Sequence, residues 1–202
     1  FACFIWRSES NYLLPIKINI YKNFLASMIF LPVVFTISVF SETYSIFILI
    51  ISGILGIGIG DTLYINALKS IGTRKTLSFE ALTPIIATIL GNFSINDIYP
   101  QKVWIGSCIV SFSLFMIVRQ NTYQKDHPTE IKIFGILYAF GSILCAVFAS
   151  LMSRMILISS TLTPFEATEI RLLSSSVFLF LLFKKDFFYI LNNRLITKKS
   201  HT

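Results

Sequence analysis

Charge is what this chain has little of. Asp, Glu, Lys and Arg together supply 13% of its 202 residues, where ordinary soluble domains carry roughly 25%. Hydrophobic residues supply 54%, and the mean hydropathy is +0.74. A soluble core cannot absorb that much apolar surface, and a water-facing remainder would aggregate. Cysteine is sparse too: Cys3, Cys108 and Cys145 stand singly in apolar stretches without CxxC spacing and read as packing residues. His127 and His201 lie in polar segments with no ligand partner nearby, so neither a metal centre nor another cofactor is expected. No GxxxxGK[ST], HExxH or GxSxG pattern occurs, which disfavours ATP-driven transport and zinc or serine hydrolysis, and an enzyme is not expected. The polar–apolar alternation of a membrane β-barrel is absent as well.

What the chain does have is long apolar runs, and twenty Phe residues suited to lipid-facing and interhelical surfaces. Runs of the length that a membrane helix needs, about 20 residues, cover 18–40, 46–68, 76–95, 102–119, 132–158 and 163–183. Each must be helical, because backbone polar groups cannot stay unpaired in hydrocarbon. The opening FACFIWRSES shows no signal-peptide pattern and reads as the tail of an apolar helix, an incomplete seventh span at 1–7 whose start is expected upstream. Short breaks carry turn residues: SETYS at 41–45, KSIGTRK at 69–75 and NDIYPQK at 96–102. The longest break, RQNTYQKDHPTEIK at 119–132, is the expected boundary between two halves. The basic segment KKDFFYILNNRLITKKSHT that follows the last span is read as a long loop, with an interfacial helix as the alternative.

The net charge of +7 does not point to nucleic acid. Such a partner needs one basic polar face, whereas these basic residues cluster in the breaks between apolar runs, where anionic lipid headgroups fit them. Alternating the spans puts fourteen of the 17 Lys and Arg on one side and Lys102, Arg154 and Arg171 on the other. Positive charge marks the cytoplasmic side. The chain also repeats weakly. An offset of 149 residues pairs Pro15 with Pro164, Lys22 with Arg171 and Ser27 with Ser176 inside matching apolar runs.

Polar groups within the spans are the candidates for chemistry, since a charge at a helix centre costs roughly 2.5 to 3.5 kcal/mol on insertion scales. Asp61 stands in GILGIGIGDTLYINALKSIG with Tyr64 three residues on and Asn66 beyond it. Two readings stand: a substrate or proton site facing a cavity, or a carboxylate near the interface paired with Lys69. Glu80 is expected to open the next span, with Thr83 on its face and Pro84 interrupting the backbone ladder. A broken helix of that kind lines a polar cavity in many transporters; a plain packed kink is the alternative. Gly53, Gly56, Gly58 and Gly60 crowd one span. Gly56 and Gly60 have the GxxxG spacing of close helix packing, and Leu63 breaks the dinucleotide pattern GxGxxG. Arg154, Glu166, Glu169 and Arg171 surround the turn before the last span and read as an interfacial cluster. Arg154 and Arg171 are second candidates for a gate or for contact with an anionic group.

Residues 58–117 resemble the end of an EamA-type repeat of the drug/metabolite transporter superfamily. The resemblance rests on Ala67 and Leu68 closing one helix, Pro84 in the next, an acidic residue after it (Asp97, where Glu is usual) and Gly106 in the following helix. The basic residue that opens the second helix of each repeat matches Lys22 and Arg171, with Arg the more typical form. The resemblance implies an all-α, polytopic membrane protein with two five-helix repeats of inverted topology, ten helices in all. About seven would lie here: 1–119 as the first repeat without the start of its first helix, 120–131 as a linker, and 132–202 as the first two helices of the second repeat. It implies a secondary transporter moving a small metabolite by alternating access in the cell membrane, with a bacterial inner membrane as the expected location. It also implies a cytoplasmic N-terminus, opposite to the charge count, and both orientations stay open. Asp61, Tyr64, Asn66, Glu80, Thr83, Arg154 and Arg171 are the expected substrate contacts, and Gly53, Gly56, Gly60 and Pro84 the expected packing positions. The competing class is a membrane-embedded binding or assembly subunit without transport, whose glycine face would serve partner helices or a second copy in a homo-oligomer.

Overall fold

A computed structural model describes Cys3, Trp6 and residues 14–36, 43–94, 99–120 and 133–199, the stretch 184–199 by its main chain alone. Asp97, His127, His201, most of the stub at 1–7, part of SETYS and all but the first residue of the 120–131 linker lie outside the described residues. Every described element is helical. Helix α1 spans Pro15–Phe30 and tightens into a 3-10 segment, Leu31–Thr36. Pro15 suits its start, where a missing N–H costs nothing, and Pro32 lacks the N–H that would continue the α pattern. Helix α2 spans Thr43–Ile71; its middle, Ile54–Gly60, widens into a π-helix, where three glycines in seven residues weaken regular winding. Gly72 ends it with φ 85° and ψ 160°, a conformation that favours glycine.

Helices α3 (Thr73–Glu80) and α4 (Thr83–Ser94) follow, then α5 (Gln101–Gln120) and α6 (Ile133–Ser159). Helix α7 spans Pro164–Lys199 and leaves helical geometry at Phe183 (φ −117°, ψ 22°). Its start is a capping box. Thr163 N–H and hydroxyl donate to Glu166 Oε2 at 2.8 and 2.9 Å, and Glu166 N–H donates to Thr163 Oγ1 at 3.3 Å. Glu166 is therefore a buried cap and not part of a solvated interfacial cluster.

Of the two readings of Pro84, the broken helix is the one seen: Pro84 stands in the first turn of α4, and regular helix stops at Ala81 and Leu82. Pro84 offers no N–H to the Glu80 carbonyl four residues back and its ring crowds that group, so the α3 ladder ends and a new helix starts. Two expectations are corrected, those for Glu80 and for the basic segment. Glu80 accordingly closes α3 rather than opening a span. The basic segment after the last span is helical through Lys199, matching the alternative reading and not the loop.

Helices α2 and α6 are long and apolar enough to cross a membrane. At 1.5 Å per residue each reaches about 40 Å, beyond the roughly 30 Å of a hydrocarbon core. They run antiparallel: Gly56 lies against Ala149, Gly60 against Cys145, and Ile71 against Gly135. Helix α7 lies on the other side of the same stripe, with Gly53 against Ser174 and the Arg171 main chain and Gly58 against Phe178. Leu49 of α2 packs there with Ile156, Leu162, Ala167 and Ile170. Polar groups share the interior with apolar ones, and large apolar side chains cover much of the outside. Asn19, Asn23 and Glu169 are 0% exposed, while Ile29, Phe35, Phe112 and Phe134 are 64% exposed or more. Lipid tolerates that outer surface and water does not.

A Cβ on Gly53 would lie 2.5 Å from the Arg171 carbonyl oxygen and 2.7 Å from its Cα, main-chain atoms that cannot swing away. Gly106 has nothing within 4 Å of that point. Gly53→Ala is expected to cost about 1–3 kcal/mol by overpacking and to lower the thermal unfolding midpoint in detergent. Gly106→Ala is expected to leave the midpoint unchanged or raise it slightly.

Candidate functional site

Where α2 leaves its π segment, side chains from five elements meet. Asp61 is the first residue after the widened turns, and its carboxylate takes an ion pair from Lys22 of α1. The partner expected from the sequence, Lys69, is exposed and lies elsewhere on α2; Lys22 reaches Asp61 because α1 packs across the π segment. Asn19 fixes that crossing. Its amide nitrogen lies 2.9 Å from the Ile57 carbonyl, 3.1 Å from the Gly58 carbonyl and 2.9 Å from Thr62 Oγ1. Its two N–H groups serve three acceptors, two of them main-chain carbonyls of the π segment. Asn23, one turn on, donates to Asn19 Oδ1 at 3.1 Å and holds the amide in that orientation.

Asp61 opens onto a cavity of about 230 Å³ lined by Trp6, Gly60, Asp61, Tyr64, Glu80, Thr83, Ser142, Ile143 and Ala146. Tyr64 O–H donates to Glu80 Oε2 at 3.4 Å and lies 3.2 Å from Cys3 Sγ. Trp6 meets the Tyr64 ring edge-on, with centroids 6.3 Å apart and planes at 90°. Its face carries the Lys22 ammonium 5.4 Å from the centroid, inside the range of a cation–π contact. The break between α3 and α4 is what lets Glu80 and Thr83 face the same space.

Of the seven expected contacts, four line this cavity: Asp61, Tyr64, Glu80 and Thr83. Asn66 does not; its amide donates to the Thr62 carbonyl of its own helix at 2.8 Å. Arg154 is exposed on α6, where it donates to the Tyr99 hydroxyl and covers that ring at 5.7 Å. Arg171 sits inside the helix packing, its guanidinium behind Gly56, with Nε hydrogen-bonded to nothing among the described residues. Asn19, Asn23, Trp6 and Ser142 escaped the sequence reading. PIKINIYKN held a signal, because Asn19 and Asn23 share a helix face with Lys22 inside an apolar run.

The profile of the EamA-like transporter family matches residues 4–119. The chain belongs to the EamA-like transporter family. No curated protein and no solved structure matches it. The EamA-like match runs from the neighbourhood of Trp6 through α5, so it includes Lys22, the π segment, Asp61 and the α3–α4 break. As a member of this family of the drug/metabolite transporter superfamily, it is a membrane protein with a helical fold and two candidate membrane-spanning helices.

Asn19→Ala removes the amide that joins α1 to the π segment. The expected loss is about 1–3 kcal/mol, because two buried carbonyls lose a donor; denaturation in detergent reads it. The same substitution is expected to increase hydrogen exchange at amides of Ile54–Gly60 more than at those of α5.

Proposed function

We propose that the chain is part of a secondary transporter that carries a small metabolite by alternating access. The observation that supports this best is the convergence of Asp61, Tyr64, Glu80 and Thr83 on one cavity at two breaks in helical winding. Transporters bind substrate where helices are discontinuous, because unwound turns offer polar groups that a regular helix keeps to itself. In this reading 1–119 form the first of two inverted five-helix repeats, and the family match ending at residue 119 agrees with that limit. Residues 120–131 are the linker, and 132–202 bring the opening helices of the second repeat. Helices α1 and α7, each with a proline start and a basic residue seven positions on, are its counterpart elements. Asp61 and Glu80 bind polar groups of the substrate, Tyr64 and Thr83 orient it, and Arg171 moves with the packing of α7 on α2.

The non-transporting assembly subunit is less well supported. It needs a free glycine face, and Gly53, Gly56 and Gly60 are already engaged by α6 and α7 of the same chain. Countertransport decides between the two. The protein in proteoliposomes is expected to exchange internal for external labelled metabolite for at least one member of a panel of small metabolites. Absence of exchange across the panel, with folded protein recovered, would overturn the transporter reading. Asp61→Asn is expected to lower exchange at least tenfold and to flatten its pH dependence, while Lys69→Gln leaves both unchanged. Exchange and pH dependence that survive Asp61→Asn would remove Asp61 from the site.

A further inference from the structure

We infer that the cavity takes a small organic ammonium ion, and that Lys22 occupies the ammonium position until the ligand displaces it; this rests on the substrate site proposed above. The wall chemistry carries the inference. Two carboxylates, Asp61 and Glu80, and two aromatic rings, Trp6 and Tyr64, face the space, and no Lys or Arg is among its described lining residues. An anion would meet like charge, and a neutral apolar ligand would cover two carboxyl groups without pairing them. A cation finds counter-charge and ring faces together, the combination that recognises ammonium groups.

Lys22 shows where the ammonium would sit. Its Nζ pairs with Asp61 Oδ2 and lies over the Trp6 ring, 5.4 Å from the centroid. Those are the two contacts a free ammonium would make, made here by a tethered one. The hold is not locked, because the Lys22 side chain remains 28% exposed and that of Asp61 38%. Exposed pairs of this kind are weak. Replacing one ammonium by another keeps the charge on Asp61 balanced, so exchange avoids leaving a bare carboxylate. Arg171 lies behind Gly56 without lining the cavity, and it does not compete for the space. Glu80 accepts from the Tyr64 hydroxyl, and its carboxyl group has capacity to accept a further N–H from the ligand. The remaining wall, Ile143 and Ala146, accommodates a hydrocarbon body. At about 230 Å³ the cavity falls below the roughly 300 Å³ at which drug-sized sites begin, so the ligand is small.

Binding can be read without transport. The chain has two tryptophans, and Trp104→Phe leaves Trp6 as the emitter in this chain. Titrated with phenethylammonium chloride at constant ionic strength, the purified protein in detergent is expected to show saturable change in Trp6 emission. The neutral 2-phenylethanol and the anionic phenylacetate are expected to bind at least tenfold more weakly. Lys22→Met is expected to tighten phenethylammonium binding about three- to tenfold, because the tethered competitor is gone. Asp61→Asn should weaken it at least tenfold; if that variant does not fold, Glu80→Gln should weaken it severalfold. Equal binding of the alcohol or of phenylacetate overturns the ammonium assignment. Weaker binding in folded Lys22→Met overturns the displacement by Lys22; if that variant does not fold, charge discrimination by the unsubstituted protein decides the ligand class. Ammonium binding without countertransport would sink the transporter reading and leave this one standing. Countertransport of a metabolite by a protein that ignores phenethylammonium would do the reverse.

Discussion

The close approach of α2 to α6 and α7 is the constraint on which the rest depends. Lipid offers no hydrophobic force between helices, so association relies on close packing and interhelical hydrogen bonds. Gly53 and Gly56 let neighbours come so near that a single Cβ would overlap them. Ser52 then reaches across to donate to the Ala149 carbonyl at 2.7 Å. The same residues that allow this contact weaken helical winding, and the π segment Ile54–Gly60 follows. An extra residue in a turn rotates everything after it by about 100°. That rotation decides which way Asp61 and Tyr64 face. Packing and site therefore share one cause, the glycine content of the middle of α2.

The buried polar groups divide by what they reach. Ser175, Thr76 and Ser142 return their hydroxyls to carbonyls three or four residues back along the chain at 2.7–2.9 Å, which satisfies them locally. Asn19 and Lys22 instead reach a different helix, and both reach the same one, within five residues of each other on α2. Glu166 and Glu169, three residues apart on α7, differ just as sharply. Glu166 closes a capping box, while both Glu169 oxygens are buried without a hydrogen-bond partner among the described residues. Sequence proximity says little about role here; the destination of each side chain says more.

Much of the fold could be read from the chain because the bilayer leaves few options. Apolar runs at 46–68 and 132–158 correspond to α2 and α6 within three residues at every end, and the run ending at 183 stops where α7 kinks. Four cavity residues were also legible, since charge and hydroxyl groups stand out against Ile, Leu and Phe. What could not be read was register. The glycines of GILGIGIGD weaken regular winding without specifying where an extra residue enters, so the facing of Asp61 and its pairing with Lys22, 39 residues away, were invisible. Asn66 was misjudged for the same reason: it lies five residues beyond Asp61, and its amide turns back to the Thr62 carbonyl. Arg154 and Arg171 stood close to one turn in the sequence, yet one ends on the surface beside Tyr99 and the other between helices.

The Lys22–Asp61 pair makes sense as something other than a clamp. Partly exposed ion pairs contribute little to stability, and two charges are an expensive way to join helices that Asn19 already joins. An unaccompanied carboxylate in an apolar segment is costlier still. A lysine opposite Asp61 removes that cost without filling the cavity, because its stem runs along α1 and only its ammonium arrives. Glu80, by contrast, accepts from a tyrosine hydroxyl and has no ion pair among the described residues. The cavity therefore holds one carboxyl group paired with a cation beside one that is not. Such a site is stable when empty, yet keeps an attraction for positive charge, and that combination suits a carrier that must both bind and release.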